Sequence, residues 1–94
     1  MARGDAFQLQ GMDGGVVVGA GEIWAAAADG GARWVSFSLD TVLDSYSGNI
    51  RGGDTAFVGV TFVAGYGIGG ITTSISVNSG QAIVYEFGGE GTIA

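Results

Sequence analysis

The sequence predicts an all-β domain: a small antiparallel barrel of about eight short strands joined by glycine-rich turns, with a β-sandwich as the alternative. Three observations carry that expectation. Apolar and polar residues alternate with a period of two over short runs, the pattern of a strand with one buried face. Between the runs stand Asp13-Gly14-Gly15, Asp29-Gly30-Gly31, Gly52-Gly53-Asp54 and Asn78-Ser79-Gly80, residue types that tolerate the positive φ of tight turns. Lysine and proline, the usual guards of open sheet edges, are absent, which favours closure into a barrel.

Strands are expected near 6–10, 15–19, 22–28, 32–39, 43–49, 55–64, 70–77 and 81–87. In the first, Phe7 and Leu9 oppose Gln8 and Gln10. Within 22–28, the run Trp24-Ala25-Ala26-Ala27-Ala28 has helical character, as does Leu39 to Leu43, but the former is short and closed by Asp29-Gly30. It reads as a strand. Val35, Phe37 and Leu39 form one face of 32–39, leaving Trp34, Ser36 and Ser38 on the other. Ile71, Thr73, Ile75 and Val77 share a face opposite Thr72, Ser74 and Ser76, and Ala82, Val84 and Glu86 oppose Ile83, Tyr85 and Phe87. Small residues such as Ala26, Ala28, Gly59 and Ala64 suit a narrow lumen, and glycines within strands, such as Gly59, Gly65 and Gly67, permit its tight coiling. The organisation read from the chain is a solvated tail over 1–5 and one barrel domain over 6–94.

Composition removes several function classes. A chain of 94 residues leaves no room for a second core. Arg3, Arg33 and Arg51 face nine carboxylates, for a net charge of −6. Three scattered cations cannot supply the counterion release that dominates nucleic-acid affinity, nor dock on anionic headgroups. Cysteine and histidine are absent, so thiolate and imidazole chemistry, disulfides, and thiolate and imidazole metal ligands are all missing. No cofactor is implied. The twenty glycines are interleaved with Val, Ile, Phe, Tyr and Trp, which separates the chain from disordered low-complexity sequence. No apolar window reaches the roughly 18 residues of a membrane-spanning helix. Met1-Ala2-Arg3-Gly4-Asp5 passes directly into Phe7-Gln8-Leu9-Gln10 without the apolar core of a secretory signal. The chain therefore either stays inside the cell or is a mature, trimmed form.

Each motif has a competing scaffold reading. Gly65-Tyr66-Gly67-Ile68-Gly69-Gly70 matches G-x-G-x-x-G, but a dinucleotide site needs a helix to follow, and Ile71 to Val77 reads as a strand. A glycine-rich strand corner is the better description. Arg3-Gly4-Asp5 spells an adhesion tripeptide at a chain end, where a solvated terminus is by far the better explanation. Asp40 with Asp44, and Glu86 with Glu90, are the closest carboxylate pairs. Four residues along a strand separate partners by roughly 13 Å, too far for a glycosidase pair, and neither pair has calcium-loop spacing. The serines have no histidine or lysine to activate them. No catalytic residues and no metal site are expected. Trp34, Tyr46 and Tyr66 are the candidate binding residues, as a surface aromatic patch able to seat a partner.

The run Gly14-Gly15-Val16-Val17-Val18-Gly19-Ala20-Gly21-Glu22-Ile23-Trp24, followed by Val35-Ser36-Phe37, resembles the virulence-associated Vap proteins of actinobacterial pathogens. The resemblance covers about a quarter of the chain and implies a compact eight-stranded antiparallel barrel that is exported and acts in a host compartment without known catalysis. The export signal and N-terminal extension of that family are not found here, and no functional residue carries over.

The function expected is therefore a non-catalytic interaction module, contacting a protein or membrane surface. A carrier of a small apolar ligand in the lumen and a self-associating structural subunit are the alternatives.

Overall fold

The computed structural model describes residues 14–94; the expected strand over 6–10 and the Arg3-Gly4-Asp5 tail lie outside the described residues. The strands are β1 (Gly14–Gly19), β2 (Ile23–Ala25), β3 (Gly31–Phe37), β4 (Thr41–Gly48), β5 (Thr61–Phe62), β6 (Gly67–Ser79), β7 (Gln81–Phe87) and β8 (Thr92–Ile93). A four-residue helix, α1 (Gly53–Ala56), sits between β4 and β5. Together the eight strands make a nearly closed antiparallel barrel.

The thirteen-residue β6 organises it. Along one edge it pairs first with β3, where Gly67 lies opposite Ser36 and Thr72 opposite Ala32, and then with β2, where Ile75 lies opposite Trp24. Along the other edge it pairs with β4 from Thr72 to Ser79. Its two ends return to neighbouring parts of the chain, for Gly67 faces Ser36 and Ser79 faces Val42. The strand has coiled around the barrel to do so. Gly80 then reverses the chain at φ 90°, with its Cα against the Asp40 carbonyl and Thr41, and β7 continues between β1 and β3. Any side chain at Gly80 would strike that backbone, so glycine is required there by space as well as by φ.

Coiling changes the phase of burial. Ile68 and Thr72 are buried in the first half of β6 and Ile75 and Val77 in the second, an even set followed by an odd one. A register shift in the β4–β6 pairing falls between Ser47 and Gly48, opposite Ser74 and Thr72. The expected continuous face of Ile71, Thr73, Ile75 and Val77 is thus corrected: Thr72 points inward and Thr73 outward. A bulge moves one side chain per strand out of alternation, which periodicity alone does not show.

The interior is filled by Val18, Trp24, Val35, Phe37, Leu43, Tyr46, Phe62, Ile68, Ile75, Val77 and Val84, with Ala32 and Ala82 where strands approach closely. Ala28, Gly59 and Ala64, expected in the lumen, are exposed. Leu39, expected beside Val35 and Phe37, is 54% exposed, because β3 ends at Phe37 and the chain bends through Ser38 and Leu39. Ala82, Val84 and Glu86 do share the inner face of β7.

Two further expectations change. The strand over 22–28 shortens to Ile23–Ala25, and Ala26 keeps one backbone bond, to the Thr73 carbonyl at 2.8 Å, before the chain leaves the sheet. The strand over 55–64 is replaced by α1, an isolated bridge between Val58 and Leu43, and the two-residue β5. The helical turn closes with Ala56 N–H donating to Gly52 O and Phe57 N–H to Gly53 O, each at 2.8 Å. It thereby swings the Phe57 ring onto Tyr46 and Phe62. Burial of that ring outweighs the strand propensity of an apolar run. The unpredicted β8 adds Ile93 opposite Trp24 and Thr92 opposite Ala25, a pairing between distant segments that leaves no local signal.

Candidate functional site

Tyr46, Phe57, Phe62 and Tyr66 form a line of rings from the core to the surface. Tyr46 is its inner end, 4% exposed, with the Thr72 hydroxyl donating to its phenolic oxygen at 3.2 Å. Phe57 meets Tyr46 edge to face at 4.9 Å between centroids and Phe62 at 5.6 Å. Phe62 stacks on Phe37 at 4.6 Å, and Tyr66 lies 5.7 Å beyond it, 54% exposed. Such offset and edge-on arrangements are the favoured geometries of aromatic pairs. The outer ring therefore stands on a buried, ordered support.

Of the three residues expected at a surface patch, then, two reach the surface and Tyr46 does not. Its strand position after the β4 register shifts turns it inward, where its hydroxyl finds a partner in Thr72. Trp34 is on the outer face of β3, 41% exposed, with its ring over Gly67 and Gly69 of β6. A Cβ at Gly67 would run into the Trp34 ring. Tyr85 lies over Gly15, and the Phe87 ring over Gly31, in the same way. Large rings thus cover the backbone that the glycines would leave to water, a recognised means of stabilising glycine in a sheet. Trp34 has a scaffold role that exposure by itself hides.

The segment leading to Tyr66 exposes valines that sequence reading missed: Val58 at 37%, Val60 at 46% and Val63 at 58%. Together with Thr61 and Phe62 they belong to the segment read as one strand over 55–64. The turn at Gly59, with φ 82°, puts Val60 outside rather than in alternation. Thr61, Phe62, Val63 and Tyr66 line a shallow open depression of about 250 Å³. Its backbone is firmly held. Asp40 Oδ1 accepts from Ala64 N–H at 2.9 Å, Phe37 O accepts from Gly65 N–H at 2.7 Å, and Phe37 N–H donates to Tyr66 O at 3.0 Å.

The carboxylate pairs are placed apart in role. Asp40 is occupied with Ala64 N–H, while Asp44 is exposed on β4. Glu86 is 2% exposed, and its Oε2 accepts from Trp24 Nε1–H and from Gly91 N–H, each at 2.7 Å. Glu90 is exposed in the loop that follows. Glu86 fastens the C-terminal segment to the barrel. The G-x-G-x-x-G run enters β6 rather than a helix, so its amides do not converge at a helix terminus. Among the described residues, no three carboxylates gather as a metal site.

Set against known protein families, curated proteins and solved structures, the chain matches none of them.

Proposed function

We propose that this protein is a non-catalytic interaction module whose contact surface is Tyr66 with Val63 and the depression that they line with Thr61 and Phe62. The observation that carries the reading is the ring line itself. An exposed aromatic residue on an ordered core support, sharing a depression with the exposed Val63, has the character of a binding hot spot. Its anchor loses little freedom on binding because the backbone from Ala64 to Tyr66 is already fixed by three hydrogen bonds. Contiguous exposed apolar surface of this kind marks interaction sites in soluble domains. The filled interior speaks against the alternative of a ligand carried in the lumen. The absence of histidine, lysine and cysteine supports a non-catalytic role.

Surface plasmon resonance on the immobilised full chain tests the reading. The probes are short extended peptides of either charge, phosphatidylcholine vesicles and phosphatidylglycerol vesicles. At least one probe is expected to bind, and Tyr66→Ala to weaken it about tenfold with an unchanged circular dichroism spectrum. No binding to any probe, or binding indifferent to Tyr66→Ala, overturns the proposal.

A further inference from the structure

We infer that the outer edge of β5 receives an extended, basic segment of another protein, which adds a strand to the barrel and seats an apolar side chain in the depression beside Tyr66. The inference rests on the interaction-module reading and names its partner.

The first support is hydrogen-bonding capacity. Among the described residues β5 pairs with β4 alone, through Thr41 opposite Phe62 and Val42 opposite Thr61. In an antiparallel ladder consecutive residues turn their N–H and C=O alternately toward and away from the partner. One residue of the Thr61–Phe62 pair consequently presents its backbone groups outward. Exposed edges of this kind are the template for strand addition. Lysine, proline and inward charges, which guard many natural edges, are absent from this two-residue edge, which is flanked by the exposed Val60 and Val63.

The second support is charge. Three exposed carboxylates stand on or before the elements that meet the segment, and Asp40 is bonded to it directly. Asp40 accepts from Ala64 N–H at 2.9 Å. Asp44 follows Leu43, whose carbonyl accepts from Gly59 N–H at 3.2 Å and which bridges to Val58. Asp54 lies on α1, three residues before Phe57, and is exposed. Neither described arginine lies on the segment from Val58 to Tyr66. Arg33 is on β3, 4.5 Å from the Phe87 ring centre, and Arg51 is in the turn at the far end of β4. An apolar edge accompanied by carboxylates complements a segment that alternates cationic and apolar residues.

A second copy of this chain is disfavoured by the same charges. A twofold contact brings one patch against itself, setting Asp40, Asp44 and Asp54 against their own copies, on a chain whose net charge is −6.

The test uses a fluorescein-labelled short peptide alternating arginine and valine, a comparator with glutamate for arginine, and the ¹⁵N-labelled full chain. Anisotropy is expected to show binding of the arginine peptide, weakening with added salt, and amide exchange to slow within Val60–Val63. Val60→Lys with Val63→Lys changes only exposed positions and installs edge guards; it is expected to weaken binding about tenfold or more. Asp44→Asn is expected to weaken it about threefold. Equal binding of the glutamate peptide, protection at a different edge, or indifference to the paired lysine changes overturns the inference. Sedimentation showing a dimer that the lysine changes dissolve also overturns it, in favour of self-pairing. Vesicles or the glutamate peptide binding in a Tyr66-dependent way would leave the interaction module standing and remove strand addition alone. Silence from every probe removes both.

Discussion

Trp24 and Glu86, 62 residues apart in sequence, meet inside the barrel, where the indole N–H donates to the carboxylate at 2.7 Å. The same carboxylate oxygen accepts from Gly91 N–H, and β8, just beyond, pairs with β2 on either side of Trp24. One buried acid thus joins β7, β2 and the C-terminal segment. Glu86→Gln retains the volume but substitutes a neutral amide for a charged acceptor. Urea denaturation is expected to show a loss of about 1–3 kcal/mol. Trp24→Phe removes the donor from the other side. The double variant should lose less than the sum of the two, with a coupling of about 0.5–3 kcal/mol; strict additivity would show that the contact contributes nothing of its own.

The two tryptophans are placed in opposite environments, Trp24 at 1% exposure and Trp34 at 41%. Trp34→Phe should leave a blue-shifted emission that iodide barely quenches. Trp24→Phe should leave a red-shifted, readily quenched one. Gly67→Ala, whose new methyl would meet the Trp34 ring, should shift the Trp34 component further to the red by lifting the ring off β6. An unchanged spectrum in Gly67→Ala would show that the ring does not lie on that glycine.

Glycines at positive φ differ in what surrounds them. Gly21, at φ 84°, has open space where a Cβ would go, whereas Gly80, at φ 90°, faces the Asp40 carbonyl and Thr41. Gly21→Ala is expected to cost about 1–2 kcal/mol from backbone strain alone. Gly80→Ala adds a clash with the backbone at the point where β6 hands over to β7, and it should cost distinctly more. Parallel thermal denaturation of the two variants measures the difference, and equal losses would mean that the turn moves to accommodate the methyl.

Phe62 and Val63 are neighbours on opposite sides of the barrel wall, at 8% and 58% exposure. Phe62→Ala removes the ring that stacks on Phe37 and supports Tyr66. It should destabilise the fold by about 3–5 kcal/mol. Val63→Ser should change stability by no more than about 0.5 kcal/mol while weakening partner binding. Chemical denaturation beside the binding measurement separates the two effects; a strongly destabilised Val63→Ser would place that side chain in the core instead of on a contact surface.

Alternation in Val35-Ser36-Phe37 and in Gln81 to Phe87, together with the turn residues between runs, was enough to determine the all-β class, most strand positions and which residues of β7 share a face. Those features are local. A strand's own pattern records which of its faces is apolar, and a turn's residues record the φ values it needs. Only the tertiary structure decided that Tyr46 turns inward, that Leu39 turns outward, that Phe57 ends a helical turn, and that Val63 and Tyr66 line one depression. Register shifts in β4 and β6 reassign faces one residue at a time, and the burial of Glu86 depends on Trp24 and Gly91 arriving from distant segments. Such contacts are set by which strands become neighbours when the barrel coils, a long-range outcome that the period of any single segment does not contain.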